Sequence, residues 1–83
     1  MLTVTLYTRP GCYLCEEMEA IVRVVQNEIP FEIKTVDIST DPQLYTRFSL
    51  EIPVLYINGK FGFMYELSTA ELRQRLSGER KDE

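Results

Sequence analysis

The chain has 83 residues, 45% of them hydrophobic and 27% charged, with four Gly and four Pro. This suffices for one domain, leaves no room for a second core, and excludes a disordered or fibrous chain. A net charge of −4 argues against nucleic acid, which needs a basic face, and against anionic membranes.

Leu2 to Tyr7 alternates apolar Leu2, Val4 and Leu6 with Thr3, Thr5 and Tyr7, the pattern of a strand. Arg9-Pro10-Gly11 breaks it. From Cys12 to about Glu28 the period becomes helical, with a stripe of Leu14, Met18, Ile21 and Val25 that Val22 widens. Glu16, Glu17, Glu19, Arg23 and Gln26 then face water, and Pro30 ends the helical region. A second strand of mixed character follows, Phe31, Ile33, Thr35 and Asp37 alternating with Glu32, Lys34, Val36 and Ile38. Asp41 before Pro42 is an N-cap followed by the residue favoured at the first helical position, and the short helix runs to about Phe48. Pro53 to Ile57 reads as a third strand. Asn58-Gly59 is a strong hairpin signal and returns the chain into a fourth strand near Lys60 to Tyr65.

The last helix opens with the capping box Ser68-Thr69-Ala70-Glu71, with Leu67 and Leu72 spaced as a hydrophobic staple. Leu72 and Leu76 point inward, Arg73 and Arg75 suit the negative helix end, and Gly78 is a stop signal. Residues 1–78 form the domain, and 79–83 are a wholly charged tail expected to fray. The order is β-α-β-α-β-β-α. Its first two strands are parallel through a right-handed crossover, its last pair antiparallel, and helices cover both faces of a mixed four-stranded sheet.

Cys12 and Cys15 are the chain's two cysteines. A loop that short is no staple for a secreted domain. No apolar run approaches the roughly 20 residues of a membrane helix. Met1-Leu2-Thr3 leads straight into a strand rather than a signal peptide, so a cytoplasmic protein is expected. In that setting a Cys-x-x-Cys pair opening a helix after a strand reads as a redox motif. The helix N-terminus offers unpaired N–H groups and a positive dipole end that stabilise a thiolate, the species that attacks disulfides. A spacing of three puts both sulfurs on one face of the first turn. Cys12 then serves as nucleophile and Cys15, one turn deeper, as resolving thiol. Leu14 shields one side and Tyr13 is free to be exposed. Arg9 can approach the Cys12 sulfur, while Glu16 and Glu17 oppose it.

The bland alternative is two small residues in a helix. A zinc or iron–sulfur site needs four ligands as a rule, and this chain has no His and no second cysteine pair. Phe61, Phe63 and Tyr65 alternate as sheet-face packing rather than a stacking platform. Tyr45 and Phe48 pack the short helix, Arg47 faces either cleft or solvent, and Tyr7 either lines the site or fills the sheet face. Pro53 is tolerated as the first residue of a strand.

Strand Leu2–Tyr7, then Thr8-Arg9-Pro10-Gly11-Cys12-Tyr13-Leu14-Cys15-Glu16-Glu17, Val36-Asp37-Ile38 and Ile52-Pro53-Val54-Leu55-Tyr56-Ile57-Asn58-Gly59 together resemble the glutaredoxin-like branch of the thioredoxin superfamily. The cysteine run is similar to a short bacterial-type glutaredoxin-like subfamily. The resemblance implies a thioredoxin fold and a thiol–disulfide oxidoreductase. It also implies a cis Ile52-Pro53 bond facing the cysteines, with Pro53 keeping metal from the thiolates. Ile52 would then offer its backbone N–H and C=O to an extended substrate. Arg9 falls where related glutaredoxins carry a basic residue. With Tyr13, Ile52 and Pro53 it makes the substrate-binding set.

The departures are specific. Tyr13-Leu14 replaces the usual Pro-Tyr between the cysteines, and Glu51 stands where Thr is common. Tyr65-Glu66-Leu67-Ser68 replaces the Gly-Gly turn and helix-start acid that hold glutathione, although free amides near Thr69 could still receive a carboxylate. The Trp-Cys-Gly-Pro-Cys site of thioredoxin is absent. The expectation is therefore a monomeric dithiol oxidoreductase acting on protein or small-molecule disulfides, with weak coupling to glutathione. Its reductant is glutathione or thioredoxin reductase, its redox group is the Cys12–Cys15 disulfide with no further cofactor or metal, and neither nucleic acid nor membrane is a partner. The alternative is a non-enzymatic thioredoxin-fold binding module, for example a carrier of an iron–sulfur cluster bridging a dimer.

Overall fold

The computed structural model describes residues 2–81. Its elements are β1 (Thr3–Thr8), α1 (Tyr13–Gln26), β2 (Glu32–Asp37), a 3₁₀ turn (Ile38–Thr40), α2 (Pro42–Phe48), β3 (Val54–Ile57), β4 (Lys60–Met64) and α3 (Thr69–Lys81). The strands form one sheet in the order β2-β1-β3-β4. β1 and β2 are parallel, as the crossover through α1 requires, and the β1–β3 and β3–β4 pairs are antiparallel. The expected β-α-β-α-β-β-α order is the one found.

Alternation along the strands separates two cores. Val4, Leu6, Leu55 and Ile57 face α1 and α3, packing with Met18, Val22, Val25, Leu72 and Leu76. Tyr7, Val54 and Tyr56 face the other way, toward Ile38 of the 3₁₀ turn and Phe48 of α2. Sequence periodicity does not show the 3₁₀ turn, whose Ile38 reads as the end of β2. Asp37 makes it: its Oδ1 accepts the Ser39 N–H at 2.9 Å and the Ser39 hydroxyl at 2.6 Å. These bonds favour the charged carboxylate and hold the Asp37 pKa below its ordinary value. Asp41 then caps α2 by accepting from Gln43 and Leu44 N–H groups, with Pro42 following as expected.

The buried stripe of α1 is rotated from the expected one. Cys15, Met18, Val22 and Val25 are buried, whereas Leu14 is 37% exposed and Ile21 only partly covered. The apolar face of α1 is wider than the surface the sheet offers. Cys15 takes the inward position, and Leu14 and Ile21 are left along the flank.

β4 holds a second correction. Leu55 pairs with Phe63 but Tyr56 pairs with Phe61, so a bulge sits at Gly62 and Phe61 and Phe63 turn to opposite faces. Phe63 packs on the α1–α3 core, and Phe61 meets the Tyr56 ring edge-on on the other side. A Cβ at Gly62 would stand 2.9 Å from the Leu55 carbonyl oxygen, so only glycine lets the bulge close.

At the start of α3 the capping box forms reciprocally. Ser68 Oγ accepts the Glu71 N–H and Glu71 Oε1 accepts the Ser68 N–H, both at 3.1 Å. Gly78 does not stop this helix, which continues to Lys81. Glu79 supports the added turn by pairing with Arg75 at 3.6 Å and Lys60 at 4.0 Å. The charged tail expected from residue 79 is thus helical at its start, and residues 82 and 83 lie outside the described residues. Arg73 and Arg75 also have partners other than the helix end. Arg73 grips the Glu28 carboxylate with two bonds of 2.6 and 3.1 Å, and Arg75 donates to the Phe61 carbonyl at 3.0 Å.

Candidate active site

Topology brings three loops to one end of the sheet. Tyr7, near the end of β1, pairs with Val54 at the start of β3, and Val54 pairs with Met64 at the end of β4. The segments Arg9–Cys12, Leu50–Pro53 and Tyr65–Ser68 therefore leave or enter the sheet side by side.

The first loop is a tight turn. The Cys12 N–H donates to the Arg9 carbonyl at 3.4 Å across Pro10-Gly11, and Gly11 has φ +80°. Proline before a positive-φ glycine is the chemistry of a type II turn. It delivers Cys12 in extended conformation to the N-cap of α1. Cys12 and Cys15 are joined in a disulfide with Cα atoms 5.2 Å apart. Cys12 Sγ also accepts the Cys15 N–H at 3.1 Å, so the sulfur occupies the place of a capping oxygen. The two thiols are unequal: Cys15 is 2% exposed, whereas Cys12 is partly open to solvent.

Tyr13 is 70% exposed beside Cys12. A hydrogen bond to the Glu17 carboxylate, that carboxylate's charge, slight desolvation and the Glu16 charge raise its phenol pKa above the ordinary value. Arg9 is exposed, and its tie to Cys12 is through the backbone. Tyr7 does not line the site: it stacks on Phe48 at 4.6 Å. Of the two alternatives for Arg47, solvent is the one found: it is exposed, lies 5.0 Å over the Phe48 ring and donates to the Tyr56 hydroxyl at 3.1 Å.

Pro53 is fully buried and the Ile52-Pro53 peptide is cis. Ile52 is partly buried against the α2-side core. Its N–H is already used, donating to the Phe48 carbonyl at 3.1 Å. The expectation that Ile52 presents both backbone groups to a substrate is corrected on this point. The last turn of α2 runs close enough to capture the donor.

Tyr65 carries two sequence readings, alternation with Phe61 and Phe63 in the last strand and the start of the Tyr65–Ser68 loop, and the second is the one found, since β4 ends at Met64. It stands beyond β4 at φ +68°, a conformation that costs a non-glycine residue on the order of 1–2 kcal/mol. Two bonds hold it there. Its N–H donates to the Pro53 carbonyl at 2.9 Å and its hydroxyl to the Leu50 carbonyl at 2.8 Å. A tyrosine carries no sequence signal for positive φ, so only the fold reveals this link. Beside it, between α1 and the loop before α3, runs a groove of about 680 Å³. Leu14, Met18 and Ile21 form its apolar wall, and Glu17, Glu66 and Glu71 supply its charge. The capping box lies at the α3 end of this groove and takes up the Ser68 and Glu71 N–H groups.

Among the described residues no group of three or more His, Cys, Asp or Glu side chains is arranged to hold a metal ion. No helix among them is long and apolar enough to cross a membrane.

Known proteins share both the fold and the sequence pattern. The family model for the glutaredoxin-like domain matches residues 3–77. The glutaredoxin-like protein YDR286C homolog of Dictyostelium discoideum is 29% identical over 96 residues, covering 98% of this chain and 88% of its own. Protein Ne2328 from Nitrosomonas europaea superposes with a TM-score of 0.76 at 30% identity, covering 89% of each chain. Desulfothioredoxin from Desulfovibrio vulgaris Hildenborough, in its reduced form, has a TM-score of 0.72 over 93% of this chain and 80% of its own. At 22% identity it shows the fold alone. With a thioredoxin fold, a cysteine pair at disulfide distance heading α1 and a family match across nearly its whole length, the chain belongs to the glutaredoxin-like domain family.

Proposed function

We propose that the protein is a dithiol–disulfide oxidoreductase in which Cys12 is the nucleophile and Cys15 the resolving thiol. The unequal burial of the pair carries this reading: a substrate sulfur can reach Cys12 at the N-cap, whereas Cys15 at 2% exposure is reached through Cys12. In the reduced protein the Cys15 N–H, which reaches Cys12 Sγ in the disulfide form, and the positive helix end favour the Cys12 thiolate. That thiolate attacks one sulfur of a substrate disulfide. The substrate S–S bond breaks, and the departing sulfur leaves with the bonding pair and takes a proton. Cys15 then gives up its proton and attacks Cys12 Sγ in the mixed disulfide, expelling the second substrate thiol. Two electrons pass to the substrate, leaving the Cys12–Cys15 disulfide. A thiol reductant, glutathione or thioredoxin reductase, restores the dithiol.

The exposed Tyr13 ring and the Ile52 carbonyl are the groups offered to the rest of a substrate, with Pro53 as the rigid wall behind them. Arg9 brings positive charge to the same loop. Coupling to glutathione is weak on this reading, since the groove beside the Tyr65–Ser68 loop is lined by the carboxylates of Glu17, Glu66 and Glu71, which disfavour an anionic tripeptide. The test is reduction of the neutral hydroxyethyl disulfide by the reduced protein, with protein thiols counted before and after. Loss of two thiols per turnover, abolished by Cys12→Ser, supports the assignment. Full activity in the Cys12→Ser protein overturns it.

A further inference from the structure

We propose that the groove between α1 and the Tyr65–Ser68 loop selects polypeptide disulfides that carry a basic side chain next to the reactive cysteine. This rests on the oxidoreductase reading and names its substrate class. Leu14, which lies between the two cysteines in sequence, lines the groove, as does Tyr65, whose N–H donates to the Pro53 carbonyl. An occupant would therefore lie next to the turn of α1 that carries the disulfide.

Its chemistry is one-sided. Three carboxylates line it, Glu17, Glu66 and Glu71, and among the described residues no Lys or Arg does. Leu14, Met18 and Ile21 give it an apolar wall. A Lys or Arg side chain matches both parts, laying its aliphatic stem on the apolar wall and its charged head among the carboxylates. The volume of about 680 Å³ exceeds one side chain and accommodates the neighbouring residues of a peptide. An anionic disulfide meets the opposite situation. At the helix end that would receive a carboxylate, the carboxylate of Glu71 is already bonded to the Ser68 N–H and adds negative charge.

The test uses synthetic peptides closed by one disulfide and identical except that the residues flanking the cysteines are Lys, Gln or Glu. At low salt the reduced protein should reduce the Lys peptide about tenfold faster than the Glu peptide, with Gln between. In the Glu17→Gln, Glu66→Gln double variant the ratio should fall to about twofold or less, as it should for the wild type in about 1 M salt. Glu32→Gln is the control. Glu32 is exposed on β2 opposite Thr3, at the other end of the sheet, and its loss should leave the ratio as it was. A Glu peptide reduced as fast as the Lys peptide, or a ratio unmoved by the double variant, overturns the proposal.

Hydroxyethyl disulfide separates the two levels, because its turnover depends on the cysteines and not on substrate charge. If it is not reduced, the oxidoreductase reading fails. The groove is then judged by binding of the same peptides with Ser in place of Cys. Tighter binding of the Lys peptide, with NMR shifts at Leu14 and Ile21, supports the groove; equal affinities, or shifts elsewhere, overturn it.

Discussion

The main-chain N–H of Cys15 donates to Cys12 Sγ at 3.1 Å, so the buried cysteine's own peptide group is a partner of the more open sulfur. A spacing of three residues puts the side chain of an N-cap within reach of that N–H. The same spacing that allows the disulfide therefore also makes Cys12 a helix cap. Compared with the reduced wild type, Cys12→Ser should be at least as stable, because serine is a preferred cap. Cys12→Ala should lose about 1 kcal/mol. Denaturant unfolding of the three reduced proteins checks this, and equal stability for Ser and Ala would remove the capping role.

The Cys15 N–H that Cys12 caps should also favour the charged form of Cys12. In the reduced protein Cys12 is expected to titrate below the free-cysteine value of about 8.5. Exchange rates should rise with pH through that pKa and level off above it. Glu16→Gln, which removes a nearby negative charge, should lower the pKa further. Thiolate ultraviolet absorbance across a pH series measures both, and a Cys12 pKa above that of free cysteine would contradict the nucleophile assignment.

Acid stability should depend on the ion pair between Glu28 and Arg73. Hydrogen bonding to Arg73 holds the Glu28 pKa below its ordinary value, against a small opposing desolvation. A carboxylate whose folded pKa is depressed binds fewer protons in the native state than in the unfolded one. Its contribution is present above the unfolded pKa and is lost as pH falls through the folded one. Arg73→Gln should therefore lower stability near neutral pH and flatten its acid dependence. Melting curves on either side of the carboxylate range test this; parallel pH profiles for wild type and variant would show that the pair contributes nothing.

Much of the chain was legible because local chemistry and tertiary demand coincide. Alternation in β1, Asp41-Pro42, Asn58-Gly59 and the Ser68–Glu71 box each specify one local geometry, and each is found. Failures occur where the third dimension decides. Leu14 and Ile21 fit the helical period as well as Cys15 and Val22 do, and only the sheet selects which set is covered. Phe61 and Phe63 look like one face until Gly62 inserts a bulge. Gly78 looks like a stop until Glu79 finds Lys60 across the fold. At the site, the cysteine pair announced itself through its neighbours. The Ile52 N–H bond to Phe48 and the φ of Tyr65 had no sequence signal.

The Gly62 bulge gives a sharp stability test. Gly62→Ala forces a methyl against the Leu55 carbonyl oxygen, and overpacking of this kind costs about 1–3 kcal/mol. Thermal unfolding should register that loss, while an alanine accepted without cost would mean that the bulge can open.

The most direct measurement of the central claim is trapping of the mixed disulfide. Cys15→Ser protein, reduced and mixed with a disulfide-bearing substrate, should accumulate one covalent adduct through Cys12, identified by mass spectrometry of peptides. Cys12→Ser should form little, because Cys15 is 2% exposed. Adduct formation through Cys15 at a rate equal to that through Cys12 would contradict the unequal roles on which the mechanism depends.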